Sequence, residues 1–462
     1  MDVDTVIKLG IRKGVNYIDV RYQDRFYELV TYDTGNLREY SISKSIGLGI
    51  RVLYNGFMGF ASTNILTKES IEKAVDRAIA CAKASSIAGR RRELIEAPIL
   101  KDKVKSVFKV NPIDVDPEVK VKLIKEVNGN SIKRNGIKSA ITRIGCEVDR
   151  RIYASSEGAY IEVTTVLTGF SHTAVARIGN VMERVHDSMS SVAGYEFIEG
   201  NDWLSFAEEV DELALKAVEA KTPPAGSYPV VLDNRIVGLL LHEAFGHATE
   251  ADGVEAGASV LTGKIGEKVA SELVTIVDEG IVEGGYFMPY DDEGVPKKKT
   301  IVVENGVLKT YLHSRYTAKT LGGKPTGNAR AQDCFVPPLV RQTNFYLMPR
   351  DYEIDELFED IDFGIYVKGR GAMGGEVNTS VGTFTFSIGP SYIIRKGEVS
   401  ELVRGVIISG MILETLKEVD AIAKDLTITT SVFGGCGKGG QRVRVGDGGP
   451  HIRVRKMTIG GR

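Results

Sequence analysis

Residues 239–250 read LLLHEAFGHATE. An apolar run ends in a histidine, a glutamate and a second histidine, the ingredients of a zinc-hydrolase helix. In the familiar motif the two histidines stand four residues apart, one helical turn, whereas His242 and His247 are five apart. On a regular α-helix, residues four apart diverge by about 40° and residues five apart by about 140°, so two such side chains cannot grip one ion. An extra residue in the turn, a π-bulge, returns them to one face, and such bulges recur at functional sites. The spacing therefore predicts a widened turn over 243–247, with an i→i+5 backbone bond or a break at Gly246, the residue expected to accept irregular backbone. A regular helix through 238–250 would make the pair a coincidence.

Upstream, YPVVLD (228–233) reads as a strand, and Asp233 or Asn234 suits the cap of the helix that follows. Before that, KTPPAG (221–226) ends a helical pattern over 202–220, and its prolines and glycine place the main boundary at 221–227. The first part mixes helix and strand signals. Asn55-Gly56 reads as a hairpin turn, Thr67 as the cap of a helix with Ile71, Ala74, Val75, Ala78, Ile79 and Ala82 inward, and Asp116-Pro117 as another helix start. Cys81 on the first of these helices is expected to pack. Residues 137–200 read as an antiparallel meander, and the last third as strands joined by glycine-rich loops, with a helical stretch at 411–421. A second hairpin turn falls at Asn305-Gly306. The expected fold is α+β in two lobes. Residues 1–221 form an N-terminal α/β lobe of antiparallel sheet and helices, divisible near residue 100. Residues 222–462 form a strand-rich C-terminal lobe carrying the metal site.

A chain of 462 residues with 43% apolar and 26% charged residues is an ordinary globular composition. A formal charge of −2 offers no basic field for nucleic acid or an anionic membrane surface. Apolar runs such as IVGLLL and GVIISGMIL fall far short of the ~18 residues a membrane span requires, and the first residues lack the apolar core of a secretory signal. Four cysteines (Cys81, Cys146, Cys334 and Cys436) without paired spacing suit a reducing cytoplasm. Four glutamines among many Lys, Glu, Ile and Val lean toward a heat-adapted source.

A catalytic zinc site takes three protein ligands and leaves one position open. Cys436 lies in GGCGKGGQ, where glycines on both sides allow close backbone approach, unlike Cys146 in the apolar AITRIGCEV. Its thiolate completes a His, His, Cys set. His172, His186, His313 and His451 have no ligand-spaced partners and read as structural. Asp291 and Asp292 lack the alternating oxygen ligands of a calcium loop and read as a turn.

These residues resemble the TldD branch of the TldD/PmbA (modulator of DNA gyrase) family. The resemblance rests on HEAFGHATE (242–250), DDEG (291–294), PTGNAR (325–330), RQTN (341–344), GGEV (374–377), FTFS (384–387) and CGKGGQ (436–441). It implies a metallopeptidase with His242, His247 and Cys436 on one divalent ion, most simply Zn2+, and Glu243 as the general base acting on a metal-activated water. It implies unfolded protein or peptide as substrate. It also implies a paralogous TldE/PmbA-like subunit as heterodimer partner, or a second copy as homodimer partner. Two departures stand out: Glu250-Ala251-Asp252 where the family has Glu-Gly-Asp, and Glu376-Val377-Asn378 where it often has Gln-Val-Asp. Glu250, three residues past His247, is a candidate to orient a ligand histidine from behind, with a solvated helix-end acid as the alternative. Arg341, Asn344, Gly374 and Gly375 are candidates for holding a peptide, which an extended substrate would meet by adding to a strand edge. Two other classes fit the same ligands: a non-catalytic scaffold subunit, and a metal hydrolase of non-peptide amides.

Overall fold

The computed structural model describes residues 2–87, 89–371 and 374–461. The chain is mixed α+β, with 23% helix and 42% strand. Its first half is built on a seven-stranded sheet of β1 (Tyr17–Asp33), β2 (Asn36–Tyr54), β3 (Phe57–Thr63), β4 (Lys101–Lys105), β5 (Ile137–Ser155), β6 (Tyr160–Ile178) and β7 (Val181–Ser191). The order is β3-β2-β1-β5-β6-β4, with β7 pairing β6, and only the β4–β6 pair is parallel. Left-handed residues make the tight hairpins: Asn55 (φ 53°) and Gly56 (φ 82°) between β2 and β3, and Thr34 with Gly35 between β1 and β2.

Alternation along β1 explains how the sheet is covered. Ile18, Val20 and Tyr22 pack under α1 (Val3–Arg12) and α2 (Lys68–Ser85). Val30 and Tyr32, on the same face farther along, pack under α3 (Pro117–Ile132), the short α4 (Glu196–Glu199) and α5 (Trp203–Glu219). Thr67 caps α2 and Asp116 caps α3, and the six expected positions of α2 are all buried. Cys81 is the exception on that helix: it points to solvent, because it falls one position outside the buried stripe.

The opposite face of the sheet is polar and buried. Asp19, Arg21, Gln23, Glu147 and Asp149 lie there, nearly free of solvent. They meet the second half of the chain through pairs such as Arg51–Glu293 (2.6 Å) and through Arg21, which donates to the carbonyls of Asp333 and Val336.

The second half begins with β8 (Gly226–Leu232), a central strand of a nine-stranded sheet. One edge of that sheet is the strand Gly375–Asn378, paired among the described residues only with Thr383–Ser387. A six-stranded sheet stacks beside it and includes Asn344–Leu347, Thr427–Thr430 and Gly446–Gly449. Between the two sheets runs the largest apolar cluster, with Val230, Leu232, Ile236, Leu240, Phe245, Phe345 and Phe384 at its centre. The 234–250 segment packs its apolar side chains into this cluster, while Arg235, Leu239, His242 and Glu243 face a cleft. No helix among the described residues is long and apolar enough to cross a membrane.

Candidate metal centre

The Asp233 carboxylate accepts from the Ile236 N–H (3.0 Å) and starts α6 (Asn234–Leu240). The helix then changes pitch. Leu241–Phe245 is a π turn in which the Gly246 N–H donates to the Leu241 carbonyl, an i→i+5 bond, and Gly246–Thr249 tightens into a 3-10 turn. Widening before and tightening after is what brings two histidines five residues apart together, with ring centroids 5.2 Å apart and planes 85° to one another. Gly246 itself keeps ordinary helical dihedrals (φ −61°, ψ −46°), so irregular backbone is not why it is glycine. The reason is space: a Cβ there would stand 2.0 Å from Oε1 of buried Gln342. Gln342 in turn donates from Nε2 to the His242 carbonyl (3.0 Å), holding the widened turn from behind.

Cys436 opens a hairpin, Cys436–Lys438 with Gln441–Val443, whose turn uses Gly439 (φ 56°) and Gly440 (φ 76°). Fully buried Arg341 donates to the Cys436 carbonyl and fixes the strand end. Cys436 Sγ then lies 3.3 Å from His247 Nε2. One ligand atom from each of His242, His247 and Cys436 falls within 4.8 Å of the others. A nitrogen and a sulfur bound to one tetrahedral zinc stand about 3.5 Å apart, given bonds of about 2.0 and 2.3 Å. His242 Nδ1 is buried with no hydrogen-bond partner among the described residues. The donor set, its spacing and that unpartnered nitrogen all suit a thiophilic divalent ion.

Behind His247 stands Glu250, 1% exposed, with Oε2 3.0 Å from His247 Nδ1. Lys438, two residues past Cys436, reaches back to Glu250 (2.8 Å) and Asp252 (2.6 Å). The charges alternate along this chain. Burial opposes a Cys436 thiolate, but His242 and His247 overcome it and bring the thiol down to about 5. Burial likewise opposes charge on His247, yet Glu250 and Cys436 raise it to about 11. Burial would raise Glu250, but His247 and Lys438 bring it down to about 2. Protons on the imidazoles balance the thiolate and carboxylate; a bound ion would take the place of those facing the thiolate.

The cluster opens on a cleft of about 350 Å³ lined by Arg235, His242, Glu243, Gly374, Cys436 and Asp447. Glu243 is the partly exposed member, with Oε2 3.8 Å from His247 Nε2. The edge strand Gly375–Asn378 continues from Gly374 at the cleft and packs against the π turn. Arg341 and Asn344 are not cleft residues. Both are completely buried, and Asn344 spends its amide on the Glu279 and Tyr286 carbonyls and the Tyr286 N–H. Their expected contact with a peptide is corrected to a supporting role, because neither side chain reaches solvent. Gly375 also serves packing: a Cβ there would lie 1.9 Å from the Thr385 carbonyl oxygen of the neighbouring strand. Gly374 differs, with φ 77° and, among the described residues, no atom within 4 Å of where a Cβ would stand. Sequence reasoning missed Lys438, Gln342 and the cleft residues Arg235 and Asp447. Lys438 lies inside the quoted CGKGGQ, but its partner is 188 positions away in the chain.

The remaining histidines are tied off as structural groups. His172 bridges Thr142 and Asp211, His186 meets Thr173, His313 meets Thr317, and His451 bridges Asp425 and Tyr366. Asp291 caps its own turn, accepting from the Glu293 and Val295 N–H groups.

Family models match nearly the whole chain. Residues 225–461 match the PmbA/TldA metallopeptidase C-terminal domain, 110–219 its central domain and 18–82 its domain 1. The chain belongs to the TldD/PmbA family. A Methanothermobacter thermautotrophicus protein named metalloprotease is 37% identical over the full length of both chains. A Saccharolobus solfataricus protein named zinc metalloprotease TldD homolog is 32% identical over 98% of this chain and 99% of its own. The fold matches that of TldE from Thermococcus kodakarensis, with a TM-score of 0.80 at 19% identity over 99% of this chain and 100% of the other. By family and by its relatives' names, the chain is a TldD/PmbA protein of the metalloprotease type. The motifs shared with that family separate by position. HEAFGHATE and CGKGGQ build the cluster, while PTGNAR and RQTN lie beneath it, where Arg330 donates to the Gln342 and Arg444 carbonyls.

Proposed function

We propose that this chain is a metal-dependent peptidase of the TldD type, holding one Zn2+ by His242, His247 and Cys436 and using Glu243 as general base. The observation that carries the reading is the convergence of two imidazoles and a thiolate within 4.8 Å, beside a partly exposed glutamate in an open cleft. When bound, the ion would supply a Lewis acid that lowers the pKa of a water to about 7 and polarises a carbonyl. The rest is the chain's own work. Glu243 accepts a proton at its carboxylate oxygen and returns it to the departing amine, a role worth about 10²–10⁴ in rate. Glu250 fixes the His247 ring by holding Nδ1, which leaves Nε2 facing the thiolate. Arg341 and Gln342 hold the two backbone segments that carry the ligands.

Peptide as substrate is supported by the strand Gly375–Asn378, whose outer edge is unpaired among the described residues and which runs into the cleft at Gly374. An extended segment adding to that edge would be held by its main chain, a mode that tolerates many sequences and suits unfolded protein. The partner proposed is a TldE/PmbA-like paralogue or a second copy, supported by the shared fold with TldE. The test is chelation: removing the metal should abolish cleavage of an unfolded protein, and stoichiometric Zn2+ should restore it. Cleavage that survives complete metal removal would overturn the proposal.

A further inference from the structure

A second cavity, of about 230 Å³, lies on the far side of the wall that carries Cys436. Val432, Phe433, Val443 and Arg444 line it, whereas their neighbours Ser431, Gly434 and Val445 line the metal cleft. The lining charges are unbalanced: Arg25, Arg151, Arg330, Arg442 and Arg444 face a single carboxylate, Glu147. Arg151 is matched from outside the cavity by Asp149 (2.8 Å) and Asp292 (3.4 Å). Arg25 and Arg444 share the same Glu147 oxygen. Arg330 and Arg442 form no ion pair among the described residues.

Arg330 is the decisive member. It is 3% exposed, its two outer nitrogens donate to the Gln342 and Arg444 carbonyls, and its Nε has no partner among the described residues. Burial, with repulsion from Arg341 and Arg151, pulls its guanidinium down to about 10 despite nearby Tyr286 and Asp292. A guanidinium stays charged in a protein, and a buried charge without a counter-ion is costly. Arg442, by contrast, is exposed at the cavity.

We propose that this arginine cavity is a binding site for a small phosphate-class oxyanion. Guanidinium groups recognise such anions through paired N–H donors, and an anion held by several of them here would supply the missing negative charge. Arg444 also donates to the Ser431 and Gly434 carbonyls, so an occupant would brace the loop leading to Cys436 from behind.

The test uses the full zinc-loaded chain at constant ionic strength, titrated calorimetrically with inorganic phosphate and separately with ATP, with chloride as the screening control. Thermal unfolding is followed in parallel. Phosphate is expected to bind one per chain and raise Tm. Arg442→Gln is expected to weaken binding about tenfold, and Arg25→Gln similarly, while Arg12→Gln on α1 leaves it unchanged. Arg442 is exposed, so its loss should not impair folding. ATP binding with the same dependence on Arg442 would name a nucleotide phosphate as the source; phosphate binding alone would name the free anion. No binding of either at 10 mM (on the order of the weakest useful affinity), or binding equal in all variants, would overturn the proposal.

Discussion

Replacing Glu250 by glutamine keeps the shape of a buried side chain and removes its charge, which makes it a clean probe of how the proposed His, His, Cys metal site is held. In the native chain Oε2 lies 3.0 Å from His247 Nδ1 and 2.8 Å from Lys438 Nζ. Groups that orient a ligand histidine in this way typically contribute 10–100-fold in metal affinity, about 1.4–2.7 kcal/mol. Lys438 retains Asp252 at 2.6 Å, so the variant is not left with an unpaired buried cation. A counter-effect has the opposite sign. In the metal-free chain Glu250 helps to raise His247 to about 11, so the ion must displace a firmly held proton. Glu250→Gln loosens that proton and eases the competition. The proton competes most strongly at low pH, and more strongly in the native chain than in the variant. The native advantage in zinc affinity should therefore be smallest near pH 6 and widen toward pH 9. Competition against a chromophoric chelator across that range measures it. Equal affinities at every pH would refute the role given to Glu250, as would a gap that narrows as pH rises.

Gly246→Ala should cost about 1–3 kcal/mol in unfolding free energy, because its Cβ would overlap Oε1 of buried Gln342. Adding Gln342→Ala should make the double variant less unstable than the sum of the two, and strict additivity in denaturant titrations would count against the contact. In the metal-free chain Cys436 should alkylate with a midpoint near pH 5 and be protected by Zn2+, whereas Cys146 and Cys334, pushed up to about 12 by burial, stay inert. Mass spectrometry after iodoacetamide reads this, and a Cys436 midpoint near that of an ordinary thiol would contradict it. Deleting Ala244 gives the histidines ordinary four-residue spacing but turns everything after it by about 100°. Zinc affinity should fall, and tight zinc binding by the deletion variant would show that the π turn is dispensable.

How much of this was legible in the sequence depends on the range of the forces involved. The hairpin at Asn55-Gly56, the caps Thr67, Asp116 and Asp233 and the buried stripe of α2 are local, and each follows from residues within a turn of one another. The π turn was legible for a different reason: with five-residue spacing, only an irregular helix lets both histidines reach one point. Cys436 was legible through its glycine-rich surroundings. The supports were not. Lys438 on Glu250, Arg341 on the Cys436 carbonyl and Gln342 against Gly246 join segments far apart in the chain, and nothing in any one segment announces its partner. Arg341 and Asn344 show the same limit, since polar residues in a shared motif look alike whether they face a cleft or hold a backbone. The polar face of the long sheet was hidden too, because nothing near Asp19, Arg21 and Gln23 in the chain announces that the second half covers them.

The central claim is that zinc and Glu243 act together on peptide bonds, with Glu243 as base and not as ligand. The measurement that meets it most directly is cleavage of an unfolded protein by Glu243→Gln and native chain, with zinc content determined on the same samples. Both proteins should hold one Zn2+ per chain, and the variant should cleave at least about 100-fold more slowly. Cleavage by the variant at the native rate, or loss of its zinc, would contradict the account.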